Sequence, residues 1–343
     1  MKELAFPMLG TLIVFLLVVP AMTLLTRIVL AHQRRATSRL TCLGSGSVWL
    51  AFVVPVVAPI VWCISAAIHQ SEPGGAVAAC LNRHLGSEAC QDALAFATGL
   101  ACFVAYVAFR RTQREMFRRR RAPGRPLRDG VQQMRLVRLC ASSPSLGKLR
   151  VSVLDQGVTP ICTVGLLRPR VEITRRFVDS LDDEELTGAL LHEAAHVRSF
   201  DPLRLFVLSF CQALNPASSL LHREYLAWRL GREAACDEAA VTEGGDPLAI
   251  AQAIVAAARS THGVAPVNAF GLGSREVENI QLRVQLLLGR SGPGRIPPAQ
   301  ERPLFALAAL LAMAAAMPHA FGSGPLDSLH IGIETAVVVF GIF

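Results

Sequence analysis

Two histidines and a glutamate lie close together in the segment HEAAH, residues 192–196. Residues four positions apart project from the same face of an α-helix, so the imidazoles of His192 and His196 can reach one metal ion. Glu193 follows the first histidine and can reach a water molecule on that metal. Zinc hydrolases use this H-E-x-x-H pattern, with the glutamate as general base. The pattern predicts one Zn²⁺ cofactor, with the two histidines as metal ligands and Glu193 as the catalytic residue.

A catalytic zinc ion also needs a third protein ligand and one open coordination position. Glu233 follows His196 by 37 residues, which is enough for a helix, a turn and a returning helix, and we predict it as the third metal ligand. Asp237 lies four residues further on, on the same face of that second helix. It can accept the N–H of a ligating histidine and so fix the orientation of the ring. The alternative interpretation of H-E-x-x-H is a chance match on a charged helix surface.

The motif needs a helix that other elements hold in place. Apolar residues recur at helical spacing around the motif, and Ser180 precedes Asp183 by three positions, which predicts a capping box at the start of the helix. Alternating apolar and polar residues predict three short strands before it, at 149–154, 160–167 and 170–174. A small sheet followed by helices indicates an α+β domain.

Several polar residues near the motif have a structural and a functional interpretation. Asp201 stands directly before Pro202, and we interpret it as a helix N-cap followed by proline at the first helical position, in preference to a carboxylate of the site. Cys236 is interpreted as a packed core residue rather than a metal ligand. His222 and Tyr225 could stabilise an oxyanion, but no spacing supports either residue.

The composition favours a membrane protein over a soluble enzyme. Hydrophobic residues make up 52% of the 343 residues, charged residues make up 17%, and the mean hydropathy is +0.41. These values exclude a disordered chain. Apolar runs close to the length that crosses a bilayer predict four transmembrane helices, at about 4–26, 46–68, 92–109 and 303–320.

The distribution of charge predicts the orientation of these helices. Residues 110–130 hold nine arginines and two acids, which accounts for most of the net charge of +8. A basic cluster directly after an apolar run is typical of a cytoplasmic membrane flank, so we do not expect nucleic-acid binding. The N-terminus is then outside, and residues 131–290 lie in the cytoplasm. Cys80 and Cys90, both in the predicted outer loop 69–91, could form a disulfide.

The predicted fold class is therefore an α-helical integral membrane protein with a cytoplasmic α+β domain. Residues 1–109 contain three transmembrane helices and the outer loop. The later segments are a basic juxtamembrane linker at 110–130, the cytoplasmic domain at 131–290, a second linker at 291–302, the fourth transmembrane helix at 303–320 and a short outer tail at 321–343.

Four stretches of the sequence resemble the membrane zinc peptidases typified by the BlaR and MecR antibiotic-sensing proteins. They are TPICTVGLLRPRVEI (159–173), LTGALLHEAAHVRSFDPLR (186–204), ALNP (213–216) and REAACDEAA (232–240), within a resembling region of about 149–290. The resemblance implies a gluzincin-like, zincin-type metallopeptidase domain held among helices of the bacterial inner membrane. It also implies that His192, His196 and Glu233 bind the zinc ion and that Glu193 is the base.

The same resemblance implies signal-regulated cleavage of a cytosolic DNA-binding repressor similar to BlaI, and of the protein itself. The flexible linker 289–302, GRSGPGRIPPAQER, is the predicted self-cleavage region. The BlaR and MecR proteins carry a penicillin-binding domain after the last helix, whereas a short tail without an S-x-x-K motif follows here. We therefore do not expect β-lactam sensing.

Three other functions share some of these features. A housekeeping membrane protease like the HtpX group has the same ligands, and a non-catalytic membrane receptor could use the zinc ion structurally. A site-2-type intramembrane protease is less favoured, because the aspartate motif that it carries inside a membrane helix has no counterpart here. In the protease interpretations, we expect the substrate to add as a strand to the edge of the small sheet at 160–166.

Overall fold

The computed structural model describes residues 14–36, 40–70, 103–114, 130–157, 159–261 and 272–289. The predicted disulfide of Cys80 and Cys90, the self-cleavage linker from residue 290 onward, the fourth membrane helix and the outer tail lie outside the described residues. These assignments, the domain boundaries and the orientation in the membrane stay predictions.

Two N-terminal helices are long and apolar enough to cross a membrane. A π-helical turn, Val14–Val18, precedes the first of them. The helices of this part of the chain are α1 (Val19–Ala36), the short α2 (Leu40–Leu43), α3 (Gly46–Gln70) and α4 (103–114). By length and composition alone, the candidate spans are Leu16–Arg35 and Leu40–Val61. They overlap the first two predicted membrane segments, 4–26 and 46–68, but the first described helix continues to Ala36, ten residues beyond its predicted end.

The rest of the described chain forms a small mixed sheet surrounded by helices. The sheet has the order β1-β3-β2, with β1 (Val151–Leu154) parallel and β2 (Ile161–Val164) antiparallel to β3 (Arg170–Thr174). The helices are α5 (Val131–Ser142), α6 (Arg175–Ser180), α7 (Asp183–Arg198), α8 (Asp201–Leu214), α9 (His222–Thr242), α10 (Pro247–Thr261) and α11 (Leu272–Leu288), with a 3-10 turn at Ser218–Leu221. The predicted strands and the predicted motif helix, α7, are confirmed.

The start of α7 is fixed by a capping box that differs from the predicted one. The Asp182 side chain accepts a hydrogen bond from the Glu185 backbone N–H at 2.8 Å, and the Glu185 carboxylate accepts one from the Asp182 N–H at 3.0 Å. Ser180 and Asp183 do not form the box, because the Ser180 hydroxyl instead donates a hydrogen bond to the Phe177 carbonyl in the last turn of α6. The reciprocal pair satisfies two backbone N–H groups at the end of the helix.

Two hydrophobic clusters hold the helices that carry the motif residues. The first packs α7 against the sheet and α10, through buried residues that include Leu190 and Ile250. The second packs α1 and α3 against α8 and α9, through residues that include Phe52 and Trp228. Because α9 contributes Trp228 to the second cluster and Ala240 to the first, it is held from both sides.

Direct hydrogen bonds also join the candidate membrane helices to the rest of the chain. The indole N–H of Trp49 donates to the Arg204 carbonyl at 3.0 Å. The buried Asn215 amide donates to the Thr23 hydroxyl at 2.9 Å. The candidate spans and the helices around the motif therefore share one packed and hydrogen-bonded interior.

Gly44, between α2 and α3, and Gly231, in α9, meet backbone to backbone. A Cβ on Gly44 would lie 2.4 Å from the carbonyl carbon of Gly231, and a Cβ on Gly231 would lie 2.5 Å from the Gly44 nitrogen. A side chain at either position would require one backbone to move, so this approach requires glycine. Gly231 precedes Glu233 by two residues. The turn between α2 and α3 thus lies against the helix that carries a predicted metal ligand.

We expect Gly44→Ala and Gly231→Ala to lower the thermal unfolding midpoint. The added methyl group must push the turn away from α9, and overpacking of this kind costs about 1–3 kcal/mol. In the helix, alanine regains at most about 1 kcal/mol of this through its better helix propensity. Gly147→Ala is the control, because its Cβ would make ordinary contacts at 3.8 Å and beyond. Scanning fluorimetry of the detergent-purified protein measures the effect, and a raised midpoint for Gly44→Ala would contradict the close approach.

Candidate active site

His192, His196 and Glu233 direct their ligand atoms at one point between α7 and α9. The Nε2 atoms of the two histidines are 3.2 Å apart. Nε2 of His192 lies 3.5 Å from Glu233 Oε2, and Nε2 of His196 lies 3.8 Å from Glu233 Oε1. The structure therefore brings together the three predicted ligands, two from successive turns of one helix and one from the helix packed beside it.

Carboxylates behind both histidines determine which ring nitrogen carries the proton. Asp237 Oδ1 lies 2.8 Å from His192 Nδ1, and Asp201 Oδ2 lies 2.6 Å from His196 Nδ1. The Asp201 carboxylate accepts the Nδ1 proton of His196, which leaves Nε2 of a neutral imidazole with its lone pair free for a metal. The Asp237 carboxylate is nearly as close to Nδ1 of His192 but lies outside hydrogen-bonding geometry, so it favours the same tautomer through its charge. Asp237 thus lies where the sequence predicts it, behind a histidine of the motif.

The separations between the ligand atoms fit a zinc ion. Zn–N bonds of about 2.0–2.1 Å at tetrahedral angles place two donor atoms roughly 3.3 Å apart. Two imidazoles and one carboxylate are also a donor set that catalytic zinc sites use. When both imidazoles are neutral, the two Nε2 lone pairs face each other, and a cation between them replaces repulsion by attraction. The residues present therefore suit the metal that the motif predicts.

Asp201 is not the N-cap that the sequence predicts. The N-cap position of α8 is Phe200, whose left-handed backbone (φ 52°, ψ 39°) turns the chain so that Asp201 is the first helical residue. The Asp201 carboxylate is buried between His196 and Arg232, whose Nε donates to Oδ2 at 3.0 Å. A carboxylate removed from water requires such partners. Asp201 therefore belongs to the site, which is the interpretation that the sequence disfavours.

Arg283 is a site residue that the sequence does not reveal. From α11, its Nε and Nη2 donate to the two carboxylate oxygens of Asp237 at 2.8 Å each, and its Nη1 lies 3.0 Å from Glu233 Oε2. The guanidinium thus joins the carboxylate behind His192 to the predicted third ligand. Asp237 lies 46 residues earlier in the chain, and no spacing rule connects the two residues.

The neighbouring carboxylates and Arg283 determine the charges of the site. Burial disfavours a charged His192, but the adjacent carboxylates of Asp237 and Glu233 outweigh it and raise the pKa of His192 to about 9. Burial also opposes a charge on His196, yet nearby anionic groups raise its pKa well above the usual value. For Glu233, burial opposes ionisation, but Arg283 holds the pKa of this carboxyl well below its usual range. A metal ion must therefore displace protons from the histidines.

A second group of potential ligand atoms lies behind the first, at His196, Asp201 and Cys236. Cys236 is fully buried, and its Sγ lies 3.4 Å from His196 Nδ1. The 2.6 Å between His196 Nδ1 and Asp201 Oδ2 is a hydrogen-bond distance, which leaves no room for an ion between these atoms. Cys236 is therefore the buried core residue that the sequence predicts.

Glu193 is buried and contacts the sheet directly. It is 7% exposed, and its Oε2 accepts a hydrogen bond from the Thr163 hydroxyl of β2 at 2.6 Å. This contact has no signal in the sequence, because residues 163 and 193 lie on separate elements. His222 and Tyr225 begin α9 two to three turns before Glu233, at least about 12 Å along the helix axis, and neither reaches the ligand atoms.

A comparison with protein-family models identifies the family. The model of the M56 peptidases, described as BlaR1 peptidase, matches residues 13–246, about two thirds of the chain. This protein belongs to the M56 peptidase family. The matched residues of this M56 peptidase include both candidate membrane spans and all three metal-ligand candidates. The match confirms the resemblance to the BlaR and MecR proteins.

Membership in the M56 family supports proteolytic activity and implies a metal ion. Arg283 lies beyond the matched residues of this M56 peptidase. No curated protein and no solved structure gives a significant match.

Proposed function

We propose that this M56 peptidase is a membrane-bound zinc metalloendopeptidase, with one zinc ion held by His192, His196 and Glu233. The observation that carries the proposal is the convergence of two imidazole Nε2 atoms and one carboxylate within 3.2–3.8 Å of each other. Structural zinc sites are closed by four protein ligands, whereas catalytic sites have three and an open position. The described residues supply three, and the Glu233 side chain is 39% exposed, which favours a catalytic role.

In the proposed reaction, the residues of the chain bind, orient and transfer protons around a peptide bond. Zinc, when bound, lowers the pKa of a water molecule to about 7 and polarises the substrate carbonyl. Glu193 accepts a proton from the attacking water and delivers it to the leaving amine. Asp237 and Asp201 hold the imidazoles of His192 and His196 in the orientation and tautomer that metal binding requires.

The edge of the sheet offers a place for the substrate backbone. β2 pairs with β3 on one side, and among the described residues no strand pairs with its other side. Because Thr163 of β2 contacts Glu193, a peptide that adds to this edge lies next to the proposed base. We propose that the substrate binds here as an added strand, at the edge 160–166 that the sequence predicts.

For the physiological substrate we propose a cytosolic BlaI-like repressor, together with the protein itself at linker 289–302. Family membership supports this choice, and the basic segment 110–130 supports a cytoplasmic peptidase domain in a multi-pass inner-membrane protein whose N-terminus is outside. Intact-mass analysis tests self-cleavage. Fragments that begin within the linker should appear for the wild type and be absent for Glu193→Gln. Accumulation of many membrane proteins in a deletion strain would instead favour an HtpX-like role.

Metal content and proteolysis of the full-length, detergent-purified protein test the proposed activity. We expect about one zinc ion per chain, cleavage of casein, loss of cleavage with a chelator and recovery when zinc is added back. Glu233→Gln should lose metal and cleavage together, whereas Glu238→Gln, on the same helix, should keep both. Cleavage that survives complete removal of metal would contradict the proposal. Bound zinc without cleavage under any condition would favour the non-catalytic receptor.

Zinc affinity should rise steeply with pH. The pKa of His192 is about 9 and that of His196 is raised, so at neutral pH the metal-free site holds protons that zinc displaces. We expect the logarithm of the association constant to increase by about 1–2 per pH unit between pH 6.5 and 9. Titration against a fluorescent zinc chelator measures this slope, and a slope near zero would contradict the prediction.

The same protons link pH to the stability of the metal-free protein. A histidine whose pKa is raised by folding stabilises the folded state fully below its unfolded pKa of about 6.5. For His192, this contribution is lost as the pH rises through about 9. The metal-free protein should therefore lose stability over this range, and zinc should restore it.

A further inference from the structure

We propose that Thr163 is a positioning residue for the general base, and that its hydroxyl holds the buried Glu193 carboxylate in its reactive position. The inference rests on the proposed function, since it assigns Glu193 the role of base. It adds a residue of the sheet to a site otherwise built on α7, α8, α9 and α11.

The geometry of Thr163 identifies the direction of the hydrogen bond. Its Oγ1 lies 2.6 Å from Glu193 Oε2 and 3.3 Å from the Glu193 backbone oxygen. Both neighbours are acceptors, so the single hydroxyl proton goes to the closer and negatively charged one. A separation of 2.6 Å is typical of a charge-assisted O–H···O⁻ bond. Oε1 accepts no hydrogen bond from the described residues, so it is the oxygen available for proton transfer.

Burial makes this bond important for Glu193. The residue is 7% exposed, and a buried carboxylate without partners is strongly disfavoured. Arg283 pairs with Asp237 and Glu233, and Arg232 pairs with Asp201. Within the described part of the chain, Thr163 is the side chain that donates to the Glu193 carboxylate. The Thr163 hydroxyl thus stabilises the Glu193 carboxylate, as the two arginines stabilise the other carboxylates of the site.

The position of Thr163 in the sheet makes it a rigid support. It pairs in register with Val171 of the central strand, whose side chain is fully buried. The branched Cβ of threonine restricts its rotamers, so the backbone of β2 determines where the hydroxyl lies. Because the substrate is proposed to pair with the same strand, β2, the Thr163 hydroxyl links the strand that binds the substrate to the general base. Loss of the hydroxyl should therefore affect kcat more than KM.

Three variants of the full-length protein separate this role from a general effect on the sheet. Thr163→Val keeps the shape and removes the donor, and Thr163→Ser keeps the donor. The control is Thr174→Val on β3, which removes a buried hydroxyl that donates to the Pro160 carbonyl at 3.2 Å, in the same sheet but away from Glu193. Each variant is assayed for kcat, KM and zinc content.

We expect Thr163→Val to lower kcat by about 10–100-fold, as loss of a hydrogen bond to a charged group predicts. KM and zinc content should change little. Thr163→Ser should recover most of kcat, and Thr174→Val should retain the wild-type kcat.

A second measurement tests the contact without any assay of activity. In metal-free protein, Thr163→Val should lower the thermal unfolding midpoint more in the wild-type background than in Glu193→Gln, because the latter has no charge to stabilise. Equal shifts in both backgrounds would overturn the inference.

Different failures are distinguishable. If Glu193→Gln is inactive but Thr163→Val keeps the wild-type kcat, the inference about Thr163 is overturned and the proposed function stands. Equal loss of activity in Thr163→Val and Thr174→Val, or loss of zinc in Thr163→Val, would assign Thr163 a structural role and also overturn it. Wild-type activity that survives in Glu193→Gln would contradict the proposed function, and the inference with it.

Discussion

Replacing Glu193 with glutamine should lower kcat/KM for peptide hydrolysis by about 10²–10⁴-fold and leave the zinc content unchanged, as loss of a general base predicts. The amide has nearly the shape of the carboxylate, and its oxygen can still accept the Thr163 hydrogen bond. It cannot accept a proton from water at neutral pH. The three proposed metal ligands are other residues, so zinc affinity has no reason to fall.

Steady-state kinetics and zinc quantification on the same preparation measure both parts of this prediction. Glu184→Gln is the matched control, because Glu184 lies on the same helix but is exposed. It should retain wild-type activity and zinc. An active Glu193→Gln variant would show that another group is the base. A variant that is inactive but also free of zinc would show that Glu193 supports the metal site rather than proton transfer.

Replacing Arg283 with methionine should lower the free energy of unfolding of the metal-free protein by about 3–5 kcal/mol, the range for removing one partner of a buried ion pair. Asp237 is 6% exposed and loses a bidentate partner, so most of the effect should come from this residue. Glu233, 39% exposed, retains contact with water and should contribute less. Zinc supplies positive charge at the same place, so saturating zinc should restore part of the loss.

The pH dependence of this effect has a definite sign. Burial opposes ionisation of Asp237, but Arg283 outweighs it and lowers the pKa of the carboxyl below the ordinary value of 3.8. A lowered pKa gives stability that is present above pH 3.8 and lost as the pH falls through the folded value. The difference between wild type and Arg283→Met should therefore be largest at neutral pH and shrink in acid.

Thermal and denaturant unfolding in detergent measure the effect of Arg283→Met. Arg259→Met, at an exposed position of α10, is the matched control and should unfold like the wild type. Arg283→Lys should be intermediate, because an ammonium group cannot make the two parallel hydrogen bonds of the guanidinium fork. If Arg283→Met leaves the free energy of unfolding unchanged, the contacts of Arg283 to Asp237 and Glu233 add nothing to stability.

The metal-ligand candidates and the main elements could be predicted because they follow from local rules. Helical periodicity places His192 and His196 on one face, and Glu233 and Asp237 on one face of another helix, whatever the rest of the fold does. Alternation of apolar residues similarly predicts the three strands to within a few residues. Runs of apolar residues predict helices long enough to span a bilayer, and two of these lie within the described chain.

The residues that support the ligands depend on tertiary structure. Thr163 reaches Glu193 from a strand, Arg283 reaches Asp237 from a helix beyond the family match, and Asp201 turns back onto the preceding helix through the left-handed Phe200. Buried carboxylates require a cation or a donor, but periodicity does not specify which distant element supplies it. Asp201 does not take the N-cap position that aspartate prefers locally, and its buried carboxylate pairs instead with His196 and Arg232. The sequence by itself therefore determines which side chains can bind the metal, and the packing of separate elements decides what holds them in place.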